Sequence, residues 1–103
     1  MAKYLFAYKG GGMAATEAER EASMAEWGAW FGELGPAIID GGNPIAASKV
    51  VSSGGAADGG GNGSVTGYTL IEAASLDAAP GLAGGCPVLK HGGTVEVGET
   101  IPM

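Results

Sequence analysis

The chain has 103 residues, of which 21 are glycine, 11 are acidic and 5 are basic, and its formal net charge is −6. Nucleic acids and acidic membranes are bound by clustered lysines and arginines, so the scattered basic residues argue against both as partners. The length and the hydrophobic fraction of 46% suit one folded domain over residues 1–103. A small core in a glycine-rich chain also favours further burial through homodimerisation.

The sequence carries no sign of a membrane or secreted protein. No apolar run approaches the roughly 20 residues that a membrane-spanning helix needs. The apolar N-terminal stretch is too short for a signal peptide, so we expect a cytoplasmic protein. The single cysteine, Cys86, excludes an internal disulfide.

The N-terminal third predicts a strand and then a long helix. Residues 3–9 are aromatic and aliphatic and run into Gly10-Gly11-Gly12, which is typical of a buried strand that opens into a loop. Thr16 and Glu19 have the spacing of a capping box. An apolar stripe at helical spacing follows: Met24, Trp27, Phe31 and Leu34. We therefore expect a helix over 16–34, with Gly35-Pro36 as its end.

The middle of the chain alternates between turns and strands. Residues 36–40 predict a turn or a short extended piece, and 45–52 predict a strand. The glycine-rich segment 54–64 has almost no side chains to pack, which indicates a mobile hairpin loop or, as the alternative, a lid over a ligand. Residues 65–73 alternate and contain β-branched and aromatic side chains, so we expect a strand that pairs back on the previous one.

The C-terminal third completes the pattern. Ser75 can cap a short helix over 76–84, although Pro80 is awkward within it. Residues 94–97 form a clean alternating strand. The resulting order, β-α-β-β-α-β, predicts an α+β protein with an antiparallel sheet and ferredoxin-like topology.

Three stretches together resemble the YCII-related (DGPF) family. They are the opening strand with its glycine turn, the tryptophan-bearing helix followed by Asp40-Gly41-Gly42-Asn43-Pro44, and the ending from Cys86-Pro87-Val88-Leu89 to Gly92-Gly93-Thr94-Val95-Glu96-Val97. The last is the most specific, since it matches the family's "CP-x-L … GG-x-VEV" ending.

The resemblance implies a ferredoxin-like fold that dimerises, with two sheets face to face in a dimeric α+β barrel. It also implies a pocket between helix, sheet and partner subunit. Some relatives carry a His–Asp pair proposed to be catalytic; the aspartate corresponds to Asp40, whereas Trp27 stands where those relatives have histidine. The family has no agreed reaction.

Three titratable residues are candidates for chemistry, each with a structural alternative. Asp40 could act as a general acid or base, or it could bond backbone amides of its own turn. His91, the only histidine, could contact a ligand or lie in a surface loop. We expect Cys86 to be a small packed thiol, since it follows a helix rather than starting one. Without another histidine or cysteine nearby, we expect no metal site.

Aromatic residues suggest a wall for a flat organic ligand. Trp27 is expected in the core, and Trp30 at a pocket or dimer wall because it lies off the main stripe. Tyr68 and Glu72 share one face of their strand and, with Asp40, form a candidate polar set. No phosphate-loop pattern accompanies the glycine runs, so we expect no nucleotide cofactor.

Three functions remain open on the sequence. The first is a homodimeric module that binds a small organic ligand. The second is a cofactor-free acid/base enzyme that uses Asp40, which rests on fold-level analogy. The third is a structural or regulatory protein whose useful surface faces another protein.

Overall fold

The computed structural model describes residues 2–11, 16–60 and 63–102. Within these residues the chain is an α+β protein with six strands and two α-helices, as predicted in class. The strands are β1 (Ala2–Lys9), β2 (Ile38–Asp40), β3 (Lys49–Ser52), β4 (Gly55–Asp58), β5 (Val65–Ala73) and β6 (Thr94–Glu99). The α-helices are α1 (Glu17–Leu34) and α2 (Ala79–Ala83), and short 3₁₀ helices cover Gly35–Ala37 and Pro87–His91. Gly12 of the predicted glycine turn and residues 61–62 of the predicted loop lie outside the described residues.

Four strands form one antiparallel sheet in the order β2-β5-β1-β6. The sheet is open, with β2 at one edge and β6 at the other. The other two strands, β3 and β4, form a separate two-stranded hairpin. Among the described helices, none is long and apolar enough to cross a membrane.

One face of the sheet carries the hydrophobic core. On β1 every second side chain is buried (Tyr4, Phe6 and Tyr8), and the register places them beside the buried Thr69 and Ile71 of β5. This is the period of two that a strand shows when one face is covered. The opposite face, with Leu5 of β1 at 39% exposure, has no covering layer in the described chain.

Helix α1 covers the buried face and begins as predicted. The Thr16 hydroxyl accepts a hydrogen bond from the Glu19 N–H at 3.1 Å, so the N-cap is confirmed. The helix ends at Gly35, whose φ of +52° favours glycine and whose N–H bonds the Phe31 carbonyl oxygen.

The predicted apolar stripe of α1 is rotated in the structure. Trp30 and Leu34 are the buried residues of the helix, whereas Met24 is 74% exposed. Trp30 and not Trp27 therefore lies deepest in the core, because residues three and four apart, including 27, 30, 31 and 34, all share that face. Trp27 and Phe31 are partly buried and pack at the edge of the same core.

Helix α2 is shorter than predicted. It spans five residues, and Pro80 lies in its first turn, where a missing N–H costs nothing. The Ser75 hydroxyl accepts from the Ala78 N–H at 3.1 Å in the turn before the helix. The following 3₁₀ helix, Pro87–His91, places Val88 in the core.

Two expectations for the middle of the chain were wrong. Strand β5 pairs with β1 and β2 and not with β3, because the alternating face of β5 is buried against α1 by that pairing. The predicted loop over 54–64 contains a strand, β4, which pairs with β3 through Val50↔Ala57 and Val51↔Ala56. Main-chain hydrogen bonds form this hairpin, which side-chain patterning does not reveal.

Candidate functional site

A large groove runs between α1 and the segment that connects β2 to the hairpin. We call it the α1 groove; its volume is about 1270 Å³. Its helix wall consists of Ser23, Met24, Trp27, Gly28 and Phe31, and its far wall includes residues 41–49, 58–60 and 63–67. Tyr8 and Val88 line it from the core side, and His91 from the end of the 3₁₀ helix.

The inner side of the groove is an aromatic cluster that spans the sheet and α1. Trp27 meets Tyr8 edge to face, with ring centroids 4.9 Å apart and planes at 73°. Trp27 also lies 5.6 Å from Trp30 and 5.9 Å from Phe31. Edge-to-face contact at these distances is favourable and holds each ring in place. The groove thus presents a fixed, partly exposed indole on a rigid base.

Trp30 anchors this cluster from below. It is 3% exposed, stacks on Phe6 at 6.2 Å, and donates its indole N–H to the Leu82 carbonyl oxygen at 3.1 Å. This bond ties α1 to α2. The expected positions of the two tryptophans are therefore exchanged: Trp30 lies in the core beneath the groove, and Trp27 lines the groove wall.

A buried hydrogen-bond chain lies beside the cluster. The Tyr8 hydroxyl donates to Thr69 Oγ1 at 2.6 Å, and the Thr69 hydroxyl donates to the Gly41 carbonyl oxygen at 2.9 Å. Burial raises the pKa of Tyr8 well above its usual value, against a smaller lowering by the Thr69 hydrogen bond. Tyr8 therefore stays protonated. Its hydroxyl is directed inward by the bond to Thr69, and the Tyr8 residue lines the groove.

Asp40 bonds the backbone of its own turn, as the structural alternative predicted. It is exposed, and its Oδ1 accepts from the Gly42 N–H at 2.9 Å. This is an Asx turn, in which the carboxylate stabilises its own loop. Asp40 is outside the residues that line the α1 groove.

The candidate polar set shares one face of the sheet, and it is the face opposite the core. The register of β2 on β5 pairs Asp40 with Leu70, and Tyr68 and Glu72 lie two residues to either side of Leu70 on the same face of β5. Tyr68 also reaches the rim of the groove beside Gly42. The structure therefore separates the predicted residues into a groove group, Trp27 and His91, and a sheet-face group, Asp40 and Glu72.

The remaining candidates are an exposed histidine and a buried cysteine. His91 is exposed at the end of the groove. Cys86 is 1% exposed, and burial raises the pKa of its thiol to about 11, so the packed-thiol interpretation is confirmed. Across the described ranges, no group of three or more histidine, cysteine, aspartate or glutamate side chains could hold a metal ion.

Sequence reasoning missed Tyr8 and Val88 as groove residues. The alternation of Tyr4, Phe6 and Tyr8 along β1 was the available signal for Tyr8. A second concavity, of about 190 Å³, lies between α2 and β6 and is too small for most ligands.

Comparison of the chain with protein-family models and with curated proteins finds no match.

Proposed function

We propose that the protein is a homodimeric, ferredoxin-like module of the YCII-related kind that binds a small, flat, uncharged organic molecule in the α1 groove. The observation that carries the ligand proposal is the partly exposed Trp27 ring, held edge to face on Tyr8 at the base of the groove. Ligand sites are typically concave and largely apolar, with a few polar groups for orientation.

The charges around the groove favour an uncharged ligand. Lys49 and Asp58 both line it, and they form an ion pair with each other. Hydroxyl groups of Ser23, Ser48 and Ser64 lie along its walls. A planar molecule with one hydroxyl or carbonyl group matches an aromatic base with a hydroxyl-bearing rim.

The homodimer proposal rests first on surface area. The chain exposes 6772 Å², which is about 1,500 Å² more than the ~5,200 Å² expected of a compact monomer of 10.0 kDa. Its radius of gyration of 14.5 Å also exceeds the ~13 Å expected at this length. A standard interface takes about 800 Å² from each partner, so the excess is large enough for a stable dimer.

The distribution of charge indicates which face a second copy would cover. Helix α1 carries five glutamates and one arginine, so two helix layers would repel each other. On the open sheet face Lys3 and Lys9 offset two of the three carboxylates, which are Glu72, Glu96 and Asp40, so that face carries one net negative charge, and Leu5 pairs with Leu70 there. A sheet-to-sheet dimer would bury this near-neutral face and would place Asp40 at the interface.

Two glycines of α1 allow a controlled test of the ligand site. A Cβ added at Gly28 or at Gly32 would meet nothing within 4 Å, and Gly28 alone of the two lines the groove. Gly28→Leu should place a branched side chain in the part of the groove next to α1, while Gly32→Leu gives the helix the same propensity gain of up to ~1 kcal/mol.

The probe is 2-naphthol, with cyclohexanol as the non-planar control. We expect 2-naphthol to shift the Trp27 indole N–H resonance in the wild type and in Gly32→Leu, and to leave it unchanged in Gly28→Leu. An equal response in both variants would contradict the proposed site. If no compound in a broad thermal-shift library stabilises the protein, the proposal that it binds a small organic ligand is contradicted.

A further inference from the structure

The β3–β4 hairpin is exposed on both of its faces. All eight strand residues are exposed, and Val50 and Val51 are 58% and 77% accessible. Since neighbouring residues of a strand point to opposite faces, each face of the hairpin carries one valine. An isolated two-stranded hairpin is at best marginally stable in water, so this one lacks the packing layer that it needs.

We infer that the hairpin is a dimerisation arm that packs against the second copy of the chain, which rests on the homodimer proposed above. The excess surface of about 1,500 Å² is nearly twice what one partner contributes to a standard interface. The open sheet face accounts for part of that excess. Among the described strands, the hairpin carries the two most exposed large apolar side chains, Val50 and Val51.

The charge of the hairpin favours a second copy over another kind of partner. Its lysine and aspartate, Lys49 and Asp58, pair directly across the two strands, so the arm is neutral overall. Two copies with a charge of −6 each repel wherever their acidic surfaces meet. A neutral arm and a near-neutral sheet face are the surfaces that such copies can bring together.

In a symmetric dimer, one kind of arm contact covers the hairpins of both copies. In a two-fold dimer each subunit gives its arm to the other, so the same few apolar contacts are made twice. Val50 and Val51 would then contact the partner with opposite faces of the hairpin.

The first experiment detects the contact directly. A dimer is prepared from equal amounts of ¹³C-labelled and unlabelled chain, and an isotope-filtered NOE spectrum is recorded. Intermolecular NOEs to the methyl groups of Val50 or Val51 are the expected result. Their absence, in a sample that shows intermolecular NOEs to Leu5 or Leu70, would overturn the arm and leave the dimer standing.

The second experiment measures its contribution by sedimentation equilibrium. Val51→Lys should weaken dimerisation by ~10-fold or more, the loss typical of one interface anchor. Ile101→Lys is the matched control, because it makes the same charge change at a side chain of 82% exposure; we expect less than a ~2-fold change for such a surface site.

A third variant separates the two proposals. Leu5→Lys changes the open sheet face and should dissociate the dimer whether or not the arm contributes. If Leu5→Lys dissociates it while Val51→Lys behaves like Ile101→Lys, the arm is overturned and the sheet interface stands. A wild type that is monomeric at micromolar concentration would overturn both.

Discussion

The sheet with α1 and the β3–β4 hairpin are built from the same kind of element but stabilised differently. In the sheet, β1 and β5 bury every second side chain under the helix, and Phe6 and Ile71 are fully buried. In the hairpin, all eight strand residues are exposed, and the two strands are held to each other by their cross-strand pairs. The difference shows that strand pairing positions a backbone, whereas a covering layer decides which residues are held rigid.

That difference bears on the α1 groove, which lies between the two regions. Its inner side belongs to the core and is held by ring contacts and the Tyr8–Thr69–Gly41 hydrogen bonds. Part of its outer wall, including Lys49 and Asp58, belongs to the base of the hairpin. A ligand would therefore meet a rigid aromatic surface on one side and a loosely supported one on the other.

The largest expected effect lies where the two regions join. Gly42 has φ of +72°, and a Cβ there would lie 1.8 Å from the Tyr68 carbonyl oxygen. Gly42→Ala adds a backbone clash to the strain of positive φ, so we expect a loss of at least ~3 kcal/mol in the free energy of unfolding. Urea denaturation followed by circular dichroism measures it.

The control for this prediction is Gly60, which follows the hairpin. Its φ is +94°, and a Cβ there would meet nothing within 4 Å. Gly60→Ala should therefore lower the free energy of unfolding only by the backbone strain, ~1–2 kcal/mol. Equal losses of stability in the two variants would mean that Gly42 does not pack against the Tyr68 carbonyl oxygen.

Thiol reactivity gives the second comparison. Cys86 is buried in the core, whereas Ser53→Cys in a Cys86→Ala background would place a thiol in the exposed turn of the hairpin. At pH 8 we expect the hairpin thiol to react with a disulfide reagent at the rate of a free cysteine. Cys86 should react only as fast as the core opens, which is slower by orders of magnitude.

The same thiol predicts a pH dependence. Burial raises the pKa of Cys86 from 9.0 to about 11, so the thiol contributes stability below pH 9 that is lost as the pH rises towards 11. Two pKa units correspond to a loss of ~2–3 kcal/mol. Cys86→Ala should remove this part of the slope, and an unchanged slope would show that the thiol is not buried in the folded state.

Much of the main sheet could be predicted from sequence, and the hairpin could not. In residues 3–9 and 65–73, apolar side chains alternate because one face of each strand is buried, so the sequence shows which face packs against the core. Residues 55–58, Gly-Ala-Ala-Asp, carry no such pattern because neither face is buried, so a strand there depends on main-chain hydrogen bonds that composition does not encode. The wrong partner assigned to β5 follows from the same gap, since a strand was expected to pair with its neighbour in sequence.

The candidate site was predicted in part for a similar reason. Helical spacing identified the apolar residues of α1, but two stripes rotated by one position fit the same spacing, and only packing against β1 selects Trp30 and Leu34 as the buried pair. The turn alternative for Asp40 was available because an Asp-Gly-Gly segment favours an Asx turn in any context. The far wall of the groove depends on how the chain folds back on itself, which local pattern does not report.

The smallest expected effect compares the ion pairs of the two regions. Lys9 Nζ lies 2.8 Å from Glu96 Oε1 on the sheet, and Lys49 pairs with Asp58 on the hairpin. The hydrogen bond from Lys9, and then its charge, lower the pKa of Glu96, so this pair stabilises the fold above the pKa of an unfolded glutamate and loses its effect as the pH falls through the folded value. We expect Lys9→Met to raise the pKa of Glu96 in a carboxyl NMR titration and Lys49→Met to leave it unchanged. Both pairs are exposed and screened by solvent, so neither variant should shift the melting temperature much. A Glu96 pKa that responds equally to both changes would mean that it reports the net charge of the chain rather than a pair fixed by the β1–β6 register.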